Sequence, residues 1–304
     1  MAAMSPEELA RKLVAGLLAF PVTHFTDSLA FDEEPYREHV EWLIGFKPAG
    51  LFAAGGAGEF FSLTLEEFSS VVSAAVGQAR QRVPVVAGCG YGTAMAKQFA
   101  RAAEVAGADG LLLLPPYLLN PDPAGLVAHV EAVCASTKLG VIFYNRDNGV
   151  LSEAALEQLC GRAPNLVGFK DGCGDADLMA RICARFRGRL ACICGLPTAE
   201  TFALSYFEMG ADTYSSGIFN FLPGFAMDFY HAARRGDGEL VAKLLREFVE
   251  PYVEIRNRRR GYAVSIIKAG MRVVGRAAGP VRAPLTDLDA AEMEALARLV
   301  AGRT

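Results

Sequence analysis

The feature that most constrains the fold of this chain is a strand–helix unit that repeats about every 30 residues. Short apolar runs alternate with amphipathic stretches such as those at 65–80, 94–106 and 123–137. The apolar runs lie at 17–20, 51–54, 83–87, 110–114, 141–144, 166–170, 190–194 and 213–216. A parallel strand followed by a right-handed crossover helix needs about this length. Eight such units predict an α/β fold of the closed (β/α)8 type, the TIM barrel.

An open doubly wound sheet is the competing layout, but it usually carries a glycine fingerprint after its first strand. The first apolar run is followed by Pro21-Val22-Thr23-His24, and the glycines at 88, 90 and 92 do not have GxGxxG spacing. The sequence therefore gives no support for dinucleotide binding. From about residue 236 the strand pattern stops, and helical patterns cover 239–256, 262–274 and 290–300. We predict a barrel over 1–235 that carries the active site and a C-terminal helical region over 236–304.

Composition excludes several classes of partner. The chain has 304 residues, 52% of them hydrophobic, and a net charge of -4 with both signs scattered, which argues against nucleic acid and anionic membranes. No apolar run approaches the ~18 residues of a membrane span. The start of the chain, around Ser5, has the pattern of a capped helix and not of a signal peptide. We expect a cytoplasmic protein.

The seven cysteines lack CxxC spacing and fit reduced intracellular thiols. Cys192 and Cys194 alternate on one predicted strand, so both should lie on one face. Buried structural thiols are favoured there over a metal pair, because no histidine is near in sequence.

Lys170 ends the run Leu166-Val167-Gly168-Phe169 and so would be delivered to the tip of a buried strand. Burial disfavours the charged form of an amine, lowers its pKa and makes the neutral nucleophile available. Such an amine forms a Schiff base with a ketone or an aldehyde. The alternative is a lysine at a strand end that extends its ammonium to water.

Other strand ends of a barrel meet at the same face, where catalysis takes place. Gly55-Gly56-Ala57-Gly58, ahead of Glu59, could direct backbone amides at an anion near a helix N-terminus, or could form a plain tight turn. Tyr144, with Arg146 two residues later, could move protons at the mouth of the barrel, or could be a core tyrosine. Gly195 would leave room for a ligand, and Ser215 offers a hydroxyl from the eighth strand.

Arg256, Arg258, Arg259 and Arg260 form the one basic cluster of the sequence. A solvated helix end, favoured by the helix dipole, is the preferred interpretation. A subunit contact and a distant attraction of an anionic substrate are the alternatives.

The motif GxxGE at 55–59, the pair Tyr144-Asn145 and the string Gly168-Phe169-Lys170 resemble the dihydrodipicolinate synthase and N-acetylneuraminate lyase superfamily. The resemblance covers nearly the whole chain. It implies a class I enzyme in which Lys170 forms a Schiff base with a 2-keto acid and Tyr144 acts as acid and base. It also implies that the segment 55–58 holds the carboxylate beside the keto group. Members are usually homotetramers and need no metal or organic cofactor.

Longer strings resemble one dehydratase branch of that superfamily, whose members dehydrate and decarboxylate a keto sugar diacid. They are GEFFSLT at 58–64, YNRDN at 144–148, GFKDG at 168–172, GLPTAE at 195–200 and GYAVSIIKAG at 261–270. The synthases have two threonines where this chain has Gly56 and Ala57, and a tyrosine at the position of Leu118. These departures argue against dihydrodipicolinate synthesis.

At Ala57 we would expect a threonine in the dehydratases too, so a water or a strand-8 serine would have to complete the proton relay. Arg146 and Ser215 are the candidates for holding the far carboxylate. A pyruvate-releasing aldolase acting on another keto sugar acid is the alternative enzyme. A non-catalytic keto-acid sensor is the alternative from another class.

Overall fold

Eight parallel strands close into a barrel in the computed structural model, which describes residues 4–303. Each strand pairs with the next along the chain, and the first pairs with the last through Leu18 and Ser215. The strands are β1 Leu18–Ala19, β2 Gly50–Ala53, β3 Val85–Cys89, β4 Gly110–Leu113, β5 Gly140–Asn145, β6 Leu166–Asp171, β7 Ala191–Cys194 and β8 Thr213–Ser216. The predicted TIM barrel is confirmed, with a strand at each of the eight apolar runs.

Helices connect the strands and continue beyond them. In the barrel part of the described chain they are α1 Pro6–Leu13, α2 Glu33–Gly45, α3 Leu65–Ala79, α4 Thr93–Val105, α5 Pro123–Cys134, α6 Glu153–Arg162, α7 Ala176–Phe186, α8 Ala203–Glu208 and α9 Pro223–Arg234. The C-terminal part contains α10 Gly238–Leu244, α11 Glu250–Arg256, α12 Tyr262–Val273 and α13 Ala290–Val300. Short 3-10 turns occur at Phe60–Ser62, Ala199–Phe202 and Ile218–Asn220, and a π-helical turn at Leu245–Val249.

Strand residues alternate between the barrel interior and the surrounding helices. In β7, Ile193 packs inside the barrel with Tyr144, while Cys192 and Cys194 pack outside against the helices. The two cysteines thus share one buried face, as the alternation predicted. Within residues 4–303, no group of three or more His, Cys, Asp or Glu side chains is placed to hold a metal ion.

The first helix closes the amino-terminal end of the barrel. Ser5 caps α1 by accepting a hydrogen bond from the amide of Glu8 at 3.2 Å, so the predicted capped start is confirmed. Leu9 of α1 is fully buried against the first residues of the strands. A Cβ on Gly140, the first residue of β5, would lie 2.9 Å from Cδ2 of Leu9. With this end filled, the open mouth is at the carboxyl ends of the strands.

The C-terminal helices pack onto that mouth through a buried ion pair. Nζ of Lys268, in α12, lies 2.7 Å from Oε1 of Glu59 in the loop after β2, and both side chains are inaccessible. The same Nζ donates to the carbonyl of Pro280 at 2.7 Å. The predicted boundary at residues 235 and 236 falls between α9 and α10, and a division into domains there stays a prediction. In residues 4–303 every helix is too short or too polar to cross a bilayer.

Candidate active site

A cavity of about 400 Å³ opens at the carboxyl ends of the strands. Its walls come from the ends of β5 to β8, from the loop after β2 and from the C-terminal helices. Among the residues that line it are seven predicted site residues: Gly56, Ala57, Tyr144, Arg146, Lys170, Gly195 and Ser215. The structure therefore brings these seven residues from five segments of the chain to one cavity.

Lys170 presents a buried amine to this cavity. Its side chain points into the barrel from the end of β6 and is 3% exposed. Nζ lies 3.7 Å from the centroid of the Tyr144 ring and 5.3 Å from that of Phe20. Burial lowers the pKa of Lys170 below its usual value of 10.5, although Tyr144 offsets part of the shift. The lysine thus does not extend its amine to water, the alternative that the sequence left open.

One backbone carbonyl holds the amine and the phenol together. The hydroxyl of Tyr144 donates to the carbonyl of Gly195 at 2.7 Å, and Nζ of Lys170 donates to the same oxygen at 3.3 Å. Nη1 of Arg146 donates to the Tyr144 hydroxyl at 3.3 Å. The Tyr144 hydroxyl thus contacts both a guanidinium and a backbone carbonyl at the mouth of the barrel, beside the Lys170 amine.

The position of the Lys170 side chain leaves no room for a side chain at Gly195. A Cβ at this position would lie 2.6 Å from Cγ of Lys170 and would also meet Nζ. The sequence predicted that a side chain here would crowd a ligand. In the structure it would first displace the amine.

The glycine segment after β2 faces the cavity with only half of its residues. Gly56 and Ala57 are partly exposed and line the cavity, whereas Gly55 and Gly58 are buried behind them. The expected helix N-terminus is wrong, because the segment leads into the 3-10 turn Phe60–Ser62 and α3 begins only at Leu65. Any anion held here would depend on loop amides.

The two serines of β8 have different roles. Ser215 is partly exposed to the cavity. Ser216 is buried, and its hydroxyl donates to the carboxyl group of Glu200. Burial raises the pKa of Glu200 to about 7, and the hydrogen bond from Ser216 opposes the shift. Ser216 also borders the cavity, but its hydroxyl is occupied by Glu200 and the amide of Phe219, so Ser215 is the β8 serine whose hydroxyl is available to a ligand.

The basic cluster divides between solvent and cavity. Arg258, Arg259 and Arg260 are exposed, as expected for a solvated helix end. That interpretation is wrong for Arg256, which is half-buried and lines the cavity. Its Nη1 donates to Oγ1 of Thr198 at 2.5 Å.

Comparison with known proteins places this barrel in a family. The model of the dihydrodipicolinate synthetase family matches residues 13–302. The chain belongs to the dihydrodipicolinate synthetase family. The match spans both the strands that carry Tyr144 and Lys170 and the C-terminal helices that carry Arg256.

Within the dihydrodipicolinate synthetase family, two relatives are 61% identical to this chain. One, from Methylobacterium radiotolerans, aligns over 303 residues and 100% of both chains. The other, from Saccharopolyspora erythraea, aligns over 99% of this chain and 97% of its own. Each is described as a probable 5-dehydro-4-deoxyglucarate dehydratase.

Solved dihydrodipicolinate synthases have the same fold. The enzyme from Bacillus clausii superposes with a TM-score of 0.87 at 28% identity, covering 96% of this chain and 98% of its own. The enzyme from Oceanobacillus iheyensis superposes with a TM-score of 0.89 at 25% identity, covering 97% of this chain and 98% of its own.

Sequence reasoning missed two cavity residues of this family member, Thr198 and Arg256. Thr198 follows β7 within the string GLPTAE and adopts a left-handed backbone with φ of 53°. That conformation is rare for a β-branched residue, and such strained residues cluster at active sites and ligand-binding sites. No local pattern around Arg256 indicates the cavity, because its helix reaches the mouth only through the packing of the C-terminal region.

Proposed function

We propose that this chain is a 5-dehydro-4-deoxyglucarate dehydratase that converts its substrate to 2,5-dioxopentanoate, water and CO2. The buried Lys170 amine, 3.7 Å from the Tyr144 ring centroid and inside a cavity, supports this function most directly. The two relatives at 61% identity support the choice of substrate. The proposed chemistry needs no metal or organic cofactor.

Lys170 acts as the nucleophile in this proposal. Because burial lowers the pKa of its amine, a larger fraction is neutral near pH 7 than for an exposed lysine. The amine adds to the C5 ketone, and the oxygen leaves as water with a proton from the Tyr144 hydroxyl, which gives a protonated imine and a Tyr144 phenolate. This iminium withdraws electrons from the neighbouring carbons.

Tyr144 moves the protons. Its oxygen accepts from Arg146 and its O–H donates to Gly195, so a phenolate formed there would keep the guanidinium beside it. Tyr144, directly or through an ordered water, removes a proton from C4, and the C4–H electrons form the enamine. The enamine then expels the C3 hydroxyl, which leaves as water with the proton that Tyr144 took from C4, and an iminium conjugated to a C3–C4 double bond remains.

The conjugated iminium makes decarboxylation possible. The C1–C2 bond breaks, CO2 leaves, and the electron pair moves along the conjugated system to nitrogen. Protonation of C3 and C4 follows, with ketonisation at C2. Hydrolysis then frees Lys170 and 2,5-dioxopentanoate.

The cavity offers groups for the rest of the substrate. We assign the carboxylate beside the ketone to the loop at Gly56 and Ala57, whose amides would replace its water shell. Gly55 and Gly58 support that loop from behind. Ala57 has no hydroxyl, so we assign a proton-relay role to Ser215, which also lines the cavity.

Two experiments test the chemistry. Lys170→Ala should abolish release of CO2 and of the semialdehyde, because the covalent pathway then has no nucleophile. Tyr144→Phe should slow turnover by roughly 10²–10⁴-fold, the usual contribution of a general acid–base. Near-normal rates in either variant would contradict that assignment.

The products of the wild-type reaction, and trapping of its covalent adduct, distinguish the alternative functions. Pyruvate instead of CO2 would identify an aldolase that uses the same lysine. A keto-acid sensor would give no covalent adduct when the substrate is trapped with borohydride.

We also propose that the protein works as a cytoplasmic homotetramer. The family resemblance supports the assembly. Three consecutive apolar side chains, Tyr117, Leu118 and Leu119, are 60% or more exposed in the single chain, which supports burial of this loop between subunits.

A further inference from the structure

Arg256 reaches the catalytic cavity from outside the barrel. It is the last residue of α11, which continues from α10 through the π-helical turn Leu245–Val249. A wide turn here accommodates Pro251, which has no amide hydrogen for the helix. Its guanidinium lines the same cavity as Lys170.

This guanidinium has spare hydrogen-bonding capacity. Nη1 donates to Oγ1 of Thr198, while Nε and Nη2 donate to Oδ1 of Asn257 at 3.1 and 3.0 Å. Within residues 4–303 it makes no salt bridge with a carboxylate. Since arginine has five N–H donors, two remain for a ligand. Thr198 accepts from Arg256, so its own O–H is free to donate to an anion.

Glu200 is a carboxyl group whose charge acts on Arg256, but its hydrogen bond is made with another residue. Its carboxyl group is buried and accepts a hydrogen bond from Ser216. The guanidinium is half-buried, and this burial lowers the pKa of Arg256. A half-buried cation without an ionic partner is stabilised by an anionic ligand.

The charges in the cavity fit a dianion. Lys170, Arg146 and Arg256 line it, and Asp147 is the one carboxylate among its lining residues. Nε of Arg146 lies 3.1 Å from Oδ2 of Asp147, and Arg146 also donates to the Tyr144 hydroxyl. Arg146 is therefore already paired with a carboxylate and held at the phenol, whereas Arg256 has no carboxylate partner among the described residues.

We propose that Arg256 and Thr198 form the subsite for the carboxylate at the far end of the substrate from the ketone. This deepens, and rests on, the proposed dehydratase function. The subsite selects keto sugar diacids over keto sugar monoacids, because a terminal hydroxymethyl group leaves the guanidinium unpaired. It replaces Arg146 as the candidate for holding this carboxylate.

The subsite acts on binding more than on bond cleavage. The far carboxylate is the group that leaves as CO2, so its negative charge moves away from Arg256 as the bond breaks. An ion pair that weakens in the transition state lowers KM and does not raise kcat. Arg256→Met should therefore raise KM, with a much smaller change in kcat.

Borohydride trapping isolates recognition from turnover. The probes are 2-oxoadipate and 2-oxohexanoate, six-carbon 2-keto acids that differ in the far carboxylate and have no hydroxyl to eliminate. Mass spectrometry of the reduced Lys170 adduct gives the half-saturating concentration of each. In the wild type the diacid should saturate at about 10- to 100-fold lower concentration. In Arg256→Met the two values should agree within about threefold.

Arg258→Met is the matched control, since this arginine belongs to the same basic cluster but is exposed and outside the cavity. It should keep the full preference for the diacid. Arg256→Lys, which keeps the charge without the planar fork, should keep part of it. Unchanged trapping of the monoacid in Arg256→Met shows that the rest of the site is intact.

The outcomes distinguish a failure of the proposed subsite from a failure of the proposed dehydratase function. A wild type that traps neither probe overturns the Schiff-base function. A wild type without preference, or an Arg256→Met variant that keeps the preference, overturns the subsite alone. If Arg256→Met traps neither probe, the diacid preference of the Thr198→Val variant is the test of the subsite. A full diacid preference in that variant overturns the subsite, and a reduced one supports it.

Discussion

Gly195 contributes both a carbonyl and the lack of a side chain to the same part of the cavity. Its oxygen accepts from Tyr144 and from Lys170, and its Cα faces the lysine stem so closely that a Cβ would overlap it. The position of the amine is thus set by the residue that directly follows the neighbouring strand β7.

Gly195→Ala should displace the amine and lower kcat/KM at least about 100-fold, because misplacement of a reacting group by ~1 Å costs that much. The measurement is turnover alongside the free energy of unfolding. Gly161→Ala is the control, since a Cβ at this exposed position in α6 meets nothing within 4 Å. That variant should keep its activity and unfold no more easily than the wild type. Full activity in Gly195→Ala would contradict the assigned contact.

Individual residues were predictable where local pattern carries the information. Lys170 and Tyr144 end apolar strands, and the barrel places strand ends together, so both could be predicted from the sequence. Arg256 could not be, because its place in the cavity depends on how α11 packs on the barrel. A run of arginines at a helix end looks the same whether one of them faces solvent or a ligand.

At the scale of elements, the barrel was predictable and the loop after β2 was not. The capping box of Thr64 and Glu67 marks the true start of α3. The amphipathic stretch predicted from residue 65 begins there, but the glycines at 55–58 do not lie at its N-terminus, contrary to the expectation. The 3-10 turn between them forms because Phe60 is buried against Phe68 and Phe99, a contact between elements.

Glu200 couples the turn Ala199–Phe202 to β8 through Ser216. Its folded pKa, about 7, is above its ordinary value of 4.5, so between these pH values the folded state binds more protons than the unfolded chain. The carboxyl group therefore destabilises the fold progressively as pH rises from 4.5 to 7. The effect is roughly 3 kcal/mol for a shift of this size.

Glu200→Gln should remove this dependence. The free energy of unfolding of the variant minus that of the wild type should rise between pH 4.5 and 7 and then level off. Urea unfolding across this range gives the difference. The test is how this difference changes with pH and not its absolute value. The buried amide NH2 of glutamine needs an acceptor of its own, and this need shifts the difference by the same amount at every pH. A difference independent of pH would show that Glu200 does not titrate in this window.

At the scale of the whole molecule, a buried contact joins the barrel to the C-terminal helices. The buried Lys268–Glu59 pair joins α12 to the loop that carries Gly56 and Ala57. The sequence predicted helices after residue 236 but not this link, since the two residues are far apart in the chain.

Lys268→Met should lower the free energy of unfolding by about 3–5 kcal/mol, because Glu59 is then left as a buried, unpaired charge. Chemical denaturation measures the loss. Lys12→Met is the comparison, as Lys12 pairs with Glu8 on the exposed face of α1 and should change stability by at most about 1 kcal/mol. Equal effects in the two variants would contradict a structural role for the buried pair.

The proposed tetramer should sediment as a species of four times the 32.5 kDa chain mass. Leu118→Asp should shift the population to smaller species, because a charge at an 81% exposed leucine would become buried in an interface. Leu118 has φ of 59°, which aspartate tolerates, so the variant tests charge and not backbone strain. A monomeric wild type at micromolar concentration would refute the assembly.

The burial that activates Lys170 also makes it chemically addressable. Its amine combines a lowered pKa with a place on a cavity wall, whereas Lys268 also has a lowered pKa but is sealed against Glu59. Reagents that condense with neutral amines, such as 1,3-diketones, should therefore modify this lysine before the exposed ones. A small diketone carrying a carboxylate would then serve as an active-site titrant, reporting how many chains in a preparation have a properly folded barrel mouth.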